Sequence, residues 1–372
     1  MKQRFLYAAV RLVNLQGCSG RFIFQSLRAV SDSSAGASGA LKQWSIAVSP
    51  FIRVKCRLHC DIVIQPLDPH AFPGADRALI SLHGLNGHGA DQDFKLDSFQ
   101  VHYDQQSNEL TINSDETSSN LSVELTTPIK SDLEVVTRGT GSVSIRKMES
   151  DLCQVQTEKG HCVLQSLKSH KLQVQSSGGN ITGNGTIHGD IEISTAGDSS
   201  VNIKKIQGNT MNVSTHQGPL NVKAIYAEYS SVASSSGKVH IGHLHGEAHV
   251  QNDTGDILID SSSSDLTAVT NAGNIDVYVS QTGTAILHAQ QGAVNIRVPE
   301  TIKAGVQLGG TTVHINSEIS QETERHSADG KTVIMAQLNS GSREDCWIKA
   351  TANRGPVSLK TQSWFETLKL RS

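Results

Sequence analysis

Val213-Ser-Thr-His-Gln-Gly-Pro-Leu-Asn-Val222, Val232-Ala-Ser-Ser-Ser-Gly-Lys-Val-His-Ile241 and Val250-Gln-Asn-Asp-Thr-Gly-Asp-Ile-Leu-Ile259 are three versions of one phrase, set 19 and then 18 residues apart. In each, an apolar residue leads, a glycine follows five positions later, and two apolar residues stand two and four positions beyond it. Such a period is too regular for an ordinary globular core and marks a repeat protein.

Aligned on that glycine, the chain gives Gly141, Gly160, Gly179, Ser199, Gly218, Gly237, Gly255, Gly273, Gly292 and Thr311, at intervals of 18–20 residues. Two positions on come Val143, Cys162, Ile181, Val201, Leu220, Val239, Ile257, Ile275, Val294 and Val313. Two further on, the apolar run continues at all but Gly183. An apolar residue at every second position predicts strand. A second strand precedes each anchor (Val155, Val174, Val213, Val232, Val250), and a third short segment shows in Ile187-His-Gly-Asp190, Ile206-Gln-Gly-Asn209, Ile225-Tyr-Ala-Glu228 and Leu244-His-Gly-Glu247.

One coil of this size cannot bury its own apolar stripe, so coils must stack, each strand pairing in parallel with its equivalents above and below. The expected fold is all-β: a parallel β-solenoid of about ten coils of 18–20 residues, with irregular β caps at both ends. At about 4.8 Å per coil the rod would be roughly 45–50 Å long.

Working outward, Trp44 to Lys130 is β-patterned but irregular (Phe51–Val54, Leu58–Ile64, Ala78–Leu82, Phe99–Tyr103, Leu110–Ile112, Leu121–Leu125), which predicts an N-terminal capping region over 43–130 and a regular solenoid over 131–316. Caps are needed because a bare end coil leaves an unpaired edge and an open apolar column. At the other end, 317–372 is expected to hold a polar loop from Ser317 to Gly330, a strand at Lys331–Leu338, another coil phrase at Ala350–Leu359, and a cap formed by Trp364, Phe365, Leu368 and Leu370.

Residues 1–31 differ from the rest: Lys2, Arg4, Arg11, Arg21 and Arg28 alternate with apolar residues, and no acid precedes Asp32. This pattern reads as a mitochondrial presequence. Arg11 breaks the only run that would serve a secretory signal. With the Ser/Gly/Ala linker that follows, residues 1–42 form a leader expected to be cleaved near residues 28–42, leaving a soluble protein in the matrix or associated with the inner membrane. A net charge of −3 over 372 residues argues against a nucleic-acid partner, and no apolar run is long enough to span a membrane.

Asp61-Ile-Val-Ile-Gln-Pro66, Tyr103–Ile112, Thr127-Pro-Ile-Lys-Ser-Asp-Leu-Glu-Val135 and the Gly-x-Val-x-Ile coils together resemble the adhesin-like β-solenoid family. That family is a domain of unknown function, widespread in bacteria, with an animal branch whose members carry a mitochondrial-type leader. The resemblance covers nearly everything after residue 50 and brings no catalytic residues or cofactor with it.

Three functional readings stand side by side. In the first, the long polar faces bind a protein partner and the chain is a non-catalytic scaffold. In the second, it is a β-helix enzyme acting on a polysaccharide or similar polymer, with corner acids such as Asp190 and Glu228 as candidates and Asn209 between them. The third takes His240, His243, His245 and His249, four histidines within ten residues, as metal ligands. His188, three coils before His245, would lie roughly 14 Å from it and outside any such set. Cys153 and Cys162 fall on core positions, and Cys56-Arg-Leu-His-Cys60 lacks the second pair a zinc site needs. Gly84-Leu-Asn-Gly-His-Gly89 reads as a glycine turn, because no Lys-Ser/Thr follows it as in a phosphate loop.

Overall fold

The computed structural model describes residues 40–84, 98–114, 120–280, 283–316, 320–328, 330–339 and 346–362. The leader through residue 39, positions 85–89 of the glycine turn and the aromatic tail from Trp364 lie outside these. The N-terminal strands are β1 (Lys42–Ala47), β2 (Arg53–Leu58), β3 (Asp61–Pro66), β4 (Arg77–Gly84), β5 (Phe99–Asp104), β6 (Glu109–Ser114), β7 (Leu121–Thr127), β8 (Asp132–Thr137) and β9 (Val143–Arg146). Then come β10 (Glu149–Thr157), β11 (Cys162–Gln165), β12 (Lys168–Ser176), β13 (Ile181–Thr195), β14 (Val201–Thr215), β15 (Leu220–Ser236), β16 (Val239–Thr254), β17 (Ile257–Ser262), β18 (Leu266–Ala272), β19 (Ile275–Val279), β20 (Ala285–Gln291) and β21 (Val294–Val298). The last are β22 (Ala304–Gly310), β23 (Val313–Ile315), β24 (Ser320–Ala328), β25 (Lys331–Leu338), β26 (Trp347–Ala352) and β27 (Val357–Thr361).

The expected parallel solenoid is what forms. Each coil has an anchor face after the glycine, a short face around Ile206 and its equivalents, and a broad face such as Met211–Thr215. β13 to β16 bend through all three without a break. Along the anchor face, Ile62, Val143, Cys162, Ile181, Val201, Leu220, Val239, Ile257, Ile275 and Val294 stack in one register, all buried. Along the broad face, Cys56, Val135, Val155, Val174, Ile193, Val213, Val232, Val250, Ala268 and Leu287 do the same. Every large member removes a side chain from water, worth about 1.5–3 kcal/mol each, and β-branched residues suit the extended backbone.

The anchor glycines mark a corner where successive coils come close. A Cβ on Gly160 would stand 1.8 Å from the Gly141 carbonyl oxygen, and one on Gly218 would stand 1.9 Å from that of Ser199. Beside this corner a buried row of Thr137, Thr157, Ser176, Thr195, Thr215, Ser234, Asn252 and Thr270 lines the inside. Several of these side chains bond the glycine strip: the Ser176 hydroxyl donates to the Gly179 carbonyl at 2.5 Å, and the Asn252 amide to the Gly237 carbonyl at 2.8 Å.

Where the sheets turn, side chains take over from strand pairing. Each corner residue accepts the backbone N–H of the next coil: Ser142 N–H to Asp61 (2.8 Å), His161 to the Ser142 hydroxyl (3.1 Å), Asn180 to His161 Nδ1 (3.1 Å) and Ser200 to Asn180 (2.9 Å). Backbone amides at a bend have no strand partner, so these side chains supply one and link each coil to the next.

Both caps depart from chain order. After nine successive anchors from Gly141 to Gly292, the coil stacked next is not the Thr311 coil, as the repeat alone suggests, but β26–β27. β26 pairs in parallel with β20 on one side and β22 on the other, and β27 with β21 and β23. The chain therefore builds its outermost coil first and returns to fill the level beneath. The N-terminal end mirrors this: β2 lies between β6 and β8, and β3 between β7 and β9. Antiparallel strands then finish each end, β5 on β6, β4 on β7 and β1 on β4 at one, β25 on β22 and β24 on β25 at the other.

The expected polar loop over Ser317–Gly330 is corrected by β24. Apart from half-buried Ser320 its described side chains are exposed, and among the described residues it pairs with β25, so it needs no apolar alternation and gave no strand signal. The expected single strand Leu58–Ile64 is also divided, because the coil turns at His59–Cys60.

Candidate interaction face

On the short face one position of each coil builds a continuous outward column. Lys130, Glu149, Lys168, His188, Gln207, Tyr226 and His245 follow one another in unbroken register. Six coil steps make this column about 29 Å long. Its far end is aromatic: the Tyr226 and His245 rings stack with centroids 4.5 Å apart and planes 10° apart, and the Lys205 ammonium lies 4.9 Å from the Tyr226 centroid. Ser263 Oγ lies 2.7 Å from His245 Nδ1. Stacking fixes both rings at the spacing of the coils beneath them.

The near end opens into a groove of about 840 Å³ between the short and broad faces, lined among others by Phe51, Lys130, Asp151, His170, His188 and Asn209. Phe51 is 63% exposed, with the Lys130 ammonium 5.7 Å from its ring. Ile129 stands beside it, and Tyr229, 58% exposed, lies on the coil after Asn209. Of the five large apolar or aromatic side chains exposed among the described residues, Phe51 lines this groove and Ile129 precedes Lys130 at the near end of the column, Tyr226 stands about 24 Å further along it with Tyr229 on the same coil, and Ile286 is on the broad face.

The four clustered histidines are distributed by the coil. His240 faces out from the anchor face, its Nε2 2.9 Å from Asp260. His243 and His245 share the short face, and His249 is exposed on the broad face, in register with Ser231 and Thr267. Among the described residues no three His, Cys, Asp or Glu side chains gather at a spacing that would hold a metal ion. His188 lies three coils from His245, as expected. Asp190 is occupied structurally: its carboxylate accepts the Thr210 N–H at 3.1 Å, as Asp265 accepts that of Thr284 at 2.6 Å.

These coils carry a recognisable signature. Residues 168–337 match the Toastrack family model, DUF4097. Three solved structures are similar: a candidate adhesin from Parabacteroides merdae (15% identity, 69% of this chain and 96% of that one, TM-score 0.39), one from Bacteroides fragilis (15%, 69% and 96%, 0.33), and a candidate lipid-binding protein from Parabacteroides distasonis (10%, 86% and 96%, 0.31). The family match bears out the resemblance carried by the coil phrases. The Toastrack-like segment contains Lys168, His188, Gln207, Tyr226 and His245 of the column. Phe51, Ile129, Lys130 and Glu149, like the inserted β26–β27 coil, fall outside it.

Among the described residues the cysteines Cys56, Cys60, Cys153, Cys162 and Cys346 are buried and form no disulfide with one another. Burial pushes the thiols of Cys56, Cys60 and Cys153 up to about 12 and that of Cys162 further. A folded-state value above the unfolded one means that the thiol form favours the native state below about pH 8.5. As pH rises from there towards 12, that contribution is progressively lost, because the unfolded chain gives up its thiol protons first. The expected results are no iodoacetamide labelling of these five positions in the native protein at neutral pH, and a urea midpoint that falls steadily above pH 9. Rapid native labelling at Cys153 or Cys162 would contradict the packing described.

Proposed function

We propose that this protein is a non-catalytic scaffold that binds a protein partner along the short face, and that it acts in mitochondria after removal of its basic leader. The observation that carries the reading is the stacked Tyr226–His245 pair, with exposed Tyr229 on the same coil as Tyr226, at one end of a column whose other end is marked by exposed Phe51. Exposed aromatic side chains on a rigid support are the usual anchors of protein interfaces. The charged and amide residues between them would form the polar part of such a contact. The basic, acid-free stretch before Asp32 supports the organellar assignment.

The test is site-specific photo-crosslinking in fractionated cells. A photoreactive residue at position 229 is expected to trap one defined partner in the mitochondrial fraction, whereas the same residue at Asn202, on the anchor face, traps none. Tyr226→Ala with Tyr229→Ala should weaken binding of the purified partner about 30-fold or more, if each ring contributes 1–2 kcal/mol. Equal trapping from both faces would sink the assignment to the short face. Deleting residues 1–42 should abolish import, and unchanged import would remove the organellar reading.

A further inference from the structure

A separate concavity of about 520 Å³ lies on the broad face at the N-terminal end. It lies within the size range of small-ligand pockets. β2 supplies Arg57, in register with Asn113 of β6 and Val136 of β8, and Arg138 follows the end of β8. Glu134, Gln154, Gln156, Gln100 and His59 complete the polar lining. The pocket thus offers two guanidinium groups against one carboxylate, surrounded by amides.

Its hydrogen bonding is incomplete in a directed way. Arg57 Nη2 donates to Glu134 Oε1 at 3.1 Å, which leaves further donors of a five-donor fork uncommitted. Arg138 makes no side-chain hydrogen bond or ion pair among the described residues. His59 Nδ1 lies 3.3 Å from the Ser114 carbonyl oxygen. A carbonyl can only accept, so Nδ1 carries the proton and neutral His59 leaves Nε2 as an acceptor. Asn113 Oδ1 is buried without a partner among the described residues, and a buried acceptor in that state is destabilising until a donor reaches it.

We propose that this pocket binds a small sugar acid, a mono- or disaccharide bearing a carboxylate. The two arginines take the carboxylate, since a guanidinium fork matches its paired oxygens. Asn113 Oδ1, His59 Nε2 and Glu134 accept ligand hydroxyls, while the Gln154 and Gln156 amides serve as either partner. A bare inorganic anion would use the arginines but is too small to reach Asn113, His59 and the glutamine amides at the same time. The site does not depend on the protein-partner reading, because it lies on a different face.

Titration calorimetry on the full chain, with D-glucuronate, D-glucose and inorganic phosphate as probes, tests the assignment. The expected result is saturable glucuronate binding, with glucose and phosphate at least about tenfold weaker. Arg138→Gln, an exposed change that leaves the core intact, should weaken glucuronate about tenfold or more, and Arg138→Lys should recover only part of the loss. Asn113→Leu should lower glucuronate affinity while leaving that for phosphate unchanged. Phosphate binding as tight as glucuronate would overturn the proposal in favour of a plain anion site. Equal binding of glucose, or no glucuronate binding in the millimolar range, would overturn it outright.

Discussion

Gly292→Ala is expected to destabilise the protein by roughly 3–5 kcal/mol, the sum of a backbone and a packing penalty. Gly292 has φ +135°, a region L-residues rarely occupy, and an added Cβ would stand 2.0 Å from the Gly273 carbonyl oxygen. Nor does the coil on the other side leave room to move away: a Cβ on Gly355 would itself lie 1.9 Å from the Gly292 oxygen. The methyl group must force neighbouring coils apart, stretching bonds such as Gly273 N–H to the Gln291 carbonyl at 2.9 Å. Gly197→Ala separates the two contributions. Gly197 also has positive φ (+65°), but nothing lies within 4 Å of its Cβ position, so only the conformational cost of about 1–2 kcal/mol remains. Urea unfolding of both variants measures the difference. Equal losses would mean that the close coil approach is not what requires glycine.

Ending the chain after residue 345 is the second change expected to have a large effect. It removes β26 and β27 from between two neighbours, not from an outer edge. Ile348, Ala350, Ala352, Val357 and Leu359 are all buried, and without them Leu287, Val294 and Ile296 on one side and Val306 and Leu308 on the other lose their stacking partners. β22 and β23 would keep no parallel partner, and the hairpin of β24 and β25 would leave with them. Hydrogen exchange should show amides 304–315 and 331–338 exchanging as an unfolded chain does, while coils before Ala272 keep most of their protection. The bared column should also promote self-association. Retained protection at 304–310 would mean that β22 has dropped one level onto β20, and the inserted coil would then be dispensable.

This displaced coil shows where the sequence stops being legible. The inward rows could be read from Val143, Val201, Val239 and their equivalents because a buried strand must repeat every second residue. Ala350–Leu359 was legible as a coil phrase for the same reason. Its level in the stack was not, since an interior row of Val, Ile and Leu accepts the same neighbours at any height, and only the partners of β22 and β23 settle the order. β24 was missed because an exposed edge strand needs no apolar pattern.

The functional surfaces were less legible still. Four histidines close in sequence suggested a cluster, but about ten residues of a coil pass around all three faces, so nearness along the chain separates His240, His245 and His249. The reverse holds for the column from Lys130 to His245 and for the pocket of Arg57, Asn113 and Arg138. The column members share the repeat period, His188 to His245 being already aligned in the third segment, whereas Arg57, Asn113 and Arg138 are brought together by strand pairing at separations no repeat marks. Tyr226 and Tyr229 were open to notice in the sequence as aromatic residues at positions held elsewhere by polar ones.

The two ends of the rod also differ as mechanical attachments. A tether at the N-terminal side pulls on β1, which among the described residues is bonded along one edge, to β4, so the strand can peel with the rest of the rod at rest. A tether at the C-terminal side pulls on β27, which is gripped by β21 along one edge and β23 along the other. Two ladders must then yield together before any coil opens. Under load the molecule behaves as a bolt with one latched end and one free end, and the attachment point decides which end gives way first.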